Sequence, residues 1–162
     1  MSLSGKYAMD TLDLWNTYGV FLEDGTTEFL KFPERKESIT NNWPDQMGID
    51  IDLSTPTYKE REITIQCALI ADNETDWWTK YNAFRVALMG SGKRMFYIAE
   101  LSRSYQVIYV KCSSFTKFTR IKTSGKVAAK FTLQLLEPEP RAILTNASGV
   151  PLTDGSGNYL YG

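Results

Sequence analysis

Histidine is absent from the 162 residues. Its absence removes imidazole acid–base catalysis, Ser-His-Asp and Cys-His nucleophile pairs, and every His-ligated metal site. Carboxylate, Lys or Tyr chemistry remains open. Cysteine occurs twice, as Cys67 and Cys112. Both fall in strand-like segments, and their isolation points to reduced, buried small hydrophobes in a cytosolic setting. No apolar run reaches the ~18 residues that a bilayer span requires. Met1 to Asp10 has no apolar stretch of the signal-peptide kind. Excess charge is lacking too: the formal net charge is −1. That argues against nonspecific binding of nucleic acid or anionic membrane by the whole molecule.

Aromatics are plentiful at 13 %, a bias toward strands. Met1 to Asp10 reads as loose. Leu14 to Phe32 reads as a hairpin, with Val20-Phe21-Leu22 entering a turn at Asp24-Gly25 and Thr26 to Lys31 returning. Asn41 to Gly48 is rich in turn formers. Ile49, Ile51 and Leu53 alternate with Asp50 and Asp52. Tyr58 to Ile70 is the clearest strand, with Ile63, Ile65, Cys67 and Leu69 on one face and Glu62, Thr64 and Gln66 on the other. Asp72 or Asn73 caps one helix, whose stripe of Trp77, Tyr81, Phe84 and Leu88 ends at Gly90-Ser91-Gly92. Asp76 and Lys80 pair at i, i+4 along it. Strands follow at Arg94–Ala99 and Tyr105–Cys112, then a hairpin of Phe115–Lys122 and Lys126–Leu136. The fold class is mainly β with one α-helix packed on the sheet. Residues 1–140 form one domain. Residues 141–162 form a flexible or weakly β C-terminal tail, in which Leu144-Thr145-Asn146-Ala147-Ser148-Gly149 recurs as Leu152-Thr153-Asp154-Gly155-Ser156-Gly157.

Few motifs carry chemistry. Asp154 to Asn158 resembles the start of a calcium loop without the later bidentate Glu, and reads as a glycine-rich turn. Asp50 and Asp52 share a strand face but read as solvated carboxylates. Neither catalytic residues nor cofactor or metal ligands emerge, so no enzyme is expected.

Charge distribution says more. Asp10 to Glu60 holds eleven acidic and four basic residues, whereas Lys111 to Lys130 holds six basic and no acidic ones. A solvated hairpin is the plain explanation. A head-to-tail contact between subunits is the alternative. Its candidate residues are Glu34, Glu37, Trp43, Asp45, Asp50 and Asp52 on the acidic side. On the basic side they are Lys111, Lys117, Arg120, Lys122, Lys126 and Lys130. A third reading gives the hairpin, with Phe115 and Phe118, to nucleic acid. Trp43 and the aromatic content also admit a carbohydrate-binding module.

Several segments together resemble the N-terminal domain of the siphophage and prophage distal tail (Dit) family, itself related to tail-tube proteins. They are Tyr18-Gly19-Val20, Leu30 to Ser38, Asn42-Trp43-Pro44 with Gly48, and Tyr58 to Arg61. The Trp77 and Tyr81 helix and the Tyr105 to Tyr109 strand complete the set. The likeness covers about residues 12–140. It implies a β-sandwich or split barrel carrying one helix, and a virion structural protein of the tail tip assembled in the bacterial cytoplasm. It further implies a hexameric ring between tail tube and baseplate hub, with DNA only as cargo through the channel, no membrane and no cofactor. A tail-tube or terminator subunit is the related alternative. The second, carbohydrate-binding domain of longer members has no counterpart here, which puts host recognition in doubt.

Overall fold

The computed structural model describes residues 3–38, 40–42, 44–45, 47–48, 50–51, 56–122, 125–140, 143–144, 146 and 150–161. In chain order these form β1 (Tyr7–Met9), β2 (Leu12–Asp13), α1 (Leu14–Tyr18), β3 (Val20–Asp24) and a 3-10 turn (Thr26–Leu30). A small hairpin of β4 (Thr40–Asn41) and β5 (Asp50–Ile51) comes next, then β6 (Arg61–Ala71), α2 (Glu74–Met89) and β7 (Arg94–Ile98). β8 (Arg103–Lys117), β9 (Val127–Glu137) and β10 (Ile143–Leu144) complete the set.

One antiparallel path runs β2-β1-β7-β8-β9-β6-β3, with β10 on β8. Its two end strands, β2 and β3, are separated in sequence only by the five-residue α1 and Gly19. A helix of that length spans about 7.5 Å, so the sheet must curl until its ends meet. The result is a split β-barrel. Residues at alternate positions of β6 (Ile63, Ile65, Cys67, Leu69) and β9 (Val127, Ala129, Phe131, Leu133, Leu135) are buried inside it. α2 packs against this core through its expected stripe, of which Trp77, Phe84 and Leu88 are buried and Tyr81 only partly so. Asn73 caps α2 by accepting from the Asp76 N–H at 3.0 Å, and Lys80 pairs with Asp76 at 2.7 Å. Rings carry the contact onward: Phe84 meets Tyr18 at 5.6 Å and Phe131 at 6.0 Å between centroids, and Phe131 stacks on Phe115 at 5.8 Å.

Four local readings are corrected. The start is not loose, because Tyr7–Met9 pairs with β7 and the Asp10 carboxylate accepts from the Met95 N–H at 2.8 Å. Leu14 to Phe32 is not a hairpin. Asp13 caps α1 by accepting from the Asn16 N–H, and Gly25 (φ +105°) turns β3 into the 3-10 segment. A Cβ at Gly25 would lie 2.7 Å from the Thr64 carbonyl oxygen, so the turn requires glycine and drives Phe29 into the core instead of pairing a return strand. The expected strand at 105–112 and the first three residues of the one at 115–122 form a single strand, β8, which ends at Lys117 and leaves 118–122 outside any strand; its register shifts between Tyr109 and Lys111 and between Cys112 and Ser114. Such bulges bend a strand without ending it. Finally, Cys67 is buried but Cys112 is exposed.

The register of β6 with β9 fixes where the chain leaves the body. Arg61 pairs with Glu137 at one end and Ala71 with Val127 at the other. At the first end Glu137 is fully buried and accepts from Arg61 Nε at 2.7 Å and from Arg61 Nη2. Arg61 Nη1 donates to the Phe29 and Lys31 carbonyls at 3.0 and 2.5 Å. The guanidinium also lies over the Tyr105 ring. Burial pushes the Glu137 carboxyl above the usual carboxylate range, with Arg61 pulling the other way.

Beyond Glu137 the three leucines Leu144, Leu152 and Leu160, spaced eight residues apart, close on each other. The Leu144 N–H donates to the Leu160 carbonyl, Leu160 to Leu152, and Leu152 to Leu144, at 2.8–2.9 Å. The same four-residue spacing is bridged twice: Asn146 Oδ1 accepts from the Val150 N–H and Asp154 Oδ1 from the Asn158 N–H. Bonds from the Asn158 side chain and nearby N–H groups hold the Asp154 carboxyl below its usual range. These oxygens cap a turn, as the glycine-rich reading has it.

Phe84→Ala is expected to lose about 3–5 kcal/mol in denaturant unfolding, since Phe84 joins α1, α2 and β9. Glu137→Ala should lose about 3–5 kcal/mol, because it strands a buried guanidinium. Replacing both Arg61 and Glu137 by Met should recover only part of that loss, since the Phe29 and Lys31 carbonyls then lose their donor.

Candidate functional site

The arm and the tip of the basic hairpin sit at opposite ends of one ladder, while Lys111, opposite Gln134, stands three positions from the Glu137 end. The arm, residues 32–60, leaves after the 3-10 turn and returns at Arg61, so its root is the Arg61–Glu137 end of the sheet. The basic hairpin springs from the Ala71–Val127 end. Ten steps at about 3.3 Å separate the roots by roughly 33 Å.

On the basic side, Lys111, Lys117, Arg120 and Lys122 are exposed, and no ion pair involves them among the described residues. Lys126 stands 4.0 Å from Asp72, with both side chains about three-quarters exposed, a contact of little energy. Lys130 is already engaged, with Glu23 at 2.7 Å and over the Phe118 ring. The hairpin tip therefore offers three unneutralised cations, Lys117, Arg120 and Lys122, near two exposed rings, Phe115 and Phe118, with Lys111 further down β8.

The arm is partly tied to itself. Glu34 pairs with Lys59 at 2.7 Å, and the Lys36 N–H donates to the Thr57 carbonyl. Glu37 and Asp45 are exposed. Asp50 lies in β5, opposite Asn41 of β4. Trp43 and Asp52 lie outside the described residues. Phe32 and Met47 are essentially fully exposed and Ile51 is half exposed, an unusual load of bare apolar surface for one short segment.

A third surface escaped the sequence reading. A groove of about 330 Å³ runs between α2 and the outer half of β8 and β9. Phe84, Leu88, Phe131 and Leu133 line it, with Cys112 and Arg85 also on its walls. The apolar stripe of α2 signals burial but not that the sheet overhangs the helix, which depends on the continuity of β8.

The thiols differ as their positions require. With β9 between β6 and β8, and their partners Phe131 and Leu133 two residues apart on it, Cys67 and Cys112 are about 12 Å apart, beyond the ~7 Å limit for a disulfide. Burial pushes the Cys67 thiol far up. Native protein treated with a maleimide should take one label, at Cys112, and a second only after unfolding. Peptide mass spectrometry checks the assignment.

No family model matches the chain, and no curated protein matches it in sequence. Among solved structures, one similar fold is that of SPP1 Dit (gp 19.1), described as a paradigm of the hub adsorption apparatus in phages infecting Gram-positive hosts. The TM-score is 0.56 at 17 % identity, over 86 % of this chain and 52 % of that one. The chain thus spans about half the length of that protein, and what the two share is a fold, that of a Dit-like domain.

Proposed function

We propose that the chain is a structural subunit of a bacteriophage tail tip that joins head to tail into a closed ring, with no catalytic role. The carrying observation is the polarity of the β6–β9 ladder. An acidic, apolar-tipped arm is rooted at one end and an unneutralised basic hairpin at the other. Surfaces that differ in this way make a heterologous contact, which closes into a ring when the rotation permits. The fold likeness to a phage hub adsorption protein supports the same reading.

In this reading residues 1–140 are the ring-forming body and 141–162 an appendage at its tail end. Glu37, Trp43, Asp45, Asp50 and Asp52 of one copy face Lys111, Lys117, Arg120 and Lys122 of the next. The ring is hexameric, as the family resemblance implies, and lies between tube and hub in the virion tail, with DNA only as cargo. A tail-tube subunit would use the same two surfaces.

Opposed charges set register and encounter rate, and exposed charges are screened over about 8 Å at physiological ionic strength. At low salt and high protein concentration, native mass spectrometry should show closed multiples, with six times the monomer mass the dominant species, and salt should weaken them. The triple change Lys117→Glu, Arg120→Glu, Lys122→Glu should return the protein to monomer, and Trp43→Ala should weaken assembly. A wild-type protein that stays monomeric at millimolar concentration overturns the ring.

A further inference from the structure

The arm carries one side chain that the body holds out and does not use. Phe32 is 97 % exposed, yet the backbone on both sides of it is fastened. The Lys31 carbonyl before it accepts from Arg61 Nη1 at 2.5 Å. After it, the Lys59 N–H donates to the Glu34 carbonyl at 2.8 Å and the Lys36 N–H to the Thr57 carbonyl at 2.9 Å, around the bridge of Arg35 and Tyr58. Pro33 restricts the Phe32 backbone to extended conformations. A bare ring on a backbone held in this way has little freedom left to lose on binding, which suits it to anchor an interface.

The groove between α2 and β8 is an open slit of matching chemistry. Five rings border it: Tyr81 and Phe84 of α2, Tyr109 and Phe115 of β8, and Phe131 of β9. Phe115 is about half exposed, so a ring entering the slit meets other rings at once, and aromatic pairs gain beyond their buried area. The slit measures about 330 Å³, whereas an apolar cavity of about 150 Å³ is enough to take up benzene. We propose that Phe32 of one copy docks in this slit of its neighbour. The inference rests on the head-to-tail reading and gives that contact its anchor. Charge selects a second copy as the occupant. Residues 32–60, which carry Phe32, hold six carboxylates and three cations, whereas residues 108–122 hold four cations and no carboxylate. Arg85 on the slit wall, and Lys117 two residues beyond Phe115, form no ion pair among the described residues. Docking would cover the bare ring and the unsealed slit together and bring the acidic arm against these cations.

Cys112 also lines the slit and reports on it, since Cys67 is buried. Two measurements test the docking. Phe32→Ala should raise the protein concentration needed for closed multimers in native mass spectrometry by about tenfold or more. It should leave denaturant stability unchanged, because the ring is bare in the single chain. Phe32→Cys, kept with the native Cys112 under mild oxidation, should give a ladder of covalent multimers beyond the dimer on non-reducing electrophoresis. The ladder should be absent from Phe32→Cys, Cys112→Ser and from a Ser156→Cys control, whose new thiol is exposed in the C-terminal segment. If closed multimers form but no ladder appears, or Phe32→Ala leaves them unchanged, the slit is not the seat and the ring stands on other surfaces. A ladder that stops at the dimer means reciprocal docking and overturns the head-to-tail contact. If the wild type forms no multimers at millimolar concentration, the ring reading fails and this docking with it.

Discussion

Every departure of the chain from the barrel at one end is fastened to the buried pair of Arg61 and Glu137. The guanidinium holds the carbonyls of Phe29 and Lys31, where the arm leaves. Arg61 is itself the residue where the arm returns, and Glu137 is the residue from which the C-terminal segment departs. Burying two charges is costly and is offset only when their donors and acceptors are met. The two bonds to backbone carbonyls satisfy groups at a turn end that would otherwise lack a donor. Glu137 Oε1 has no such partner among the described residues, which fits a carboxyl whose ionisation burial opposes. The pair contributes less to net stability than to geometry: it fixes the direction in which two long segments leave the body.

The rest of the architecture derives from a short link. Because only α1 and Gly19 join the end strands β2 and β3, the sheet cannot lie flat, and its open side needs a cover. α2 supplies that cover with one face, Phe84 meeting Tyr18 on one side and Phe131 of β9 on the other. A straight helix against a strand as long as β8 covers only part of it. The exposed hairpin and the slit are both consequences of that mismatch in length.

Legibility in the sequence tracked how local the cause was. β6, β9 and α2 are visible because burial imposes a clean period on them, and the Asn73 cap and Asp76–Lys80 pair are short-range. β1 and α1 were missed because three- and five-residue elements carry too few positions to show a period. Their stability comes from β7 and from the Asp13 cap. The Asp24-Gly25 turn was visible, but the path of the chain after it is decided by Phe29 finding a place beside Tyr105, a tertiary fact. The mainly β class with a packed helix was legible. The split barrel came from the family resemblance. Of the site, the opposed charges could be read directly. That they stand at opposite ends of one ladder depends on strand register, and the groove depends on β8 being continuous, so neither was visible.

The placement of arm and hairpin at opposite ends of one ladder also has a mechanical meaning. A pull applied to the arm at one end and to the hairpin at the other would load β6 from its Arg61 end and β9 from its Val127 end, along the strands and in opposite directions. That is loading in shear, in which all eleven paired positions of the ladder resist together. Peeling the strands apart sideways would break them one pair at a time. A body built this way resists a pull between arm and hairpin far better than a force that opens the sheet sideways.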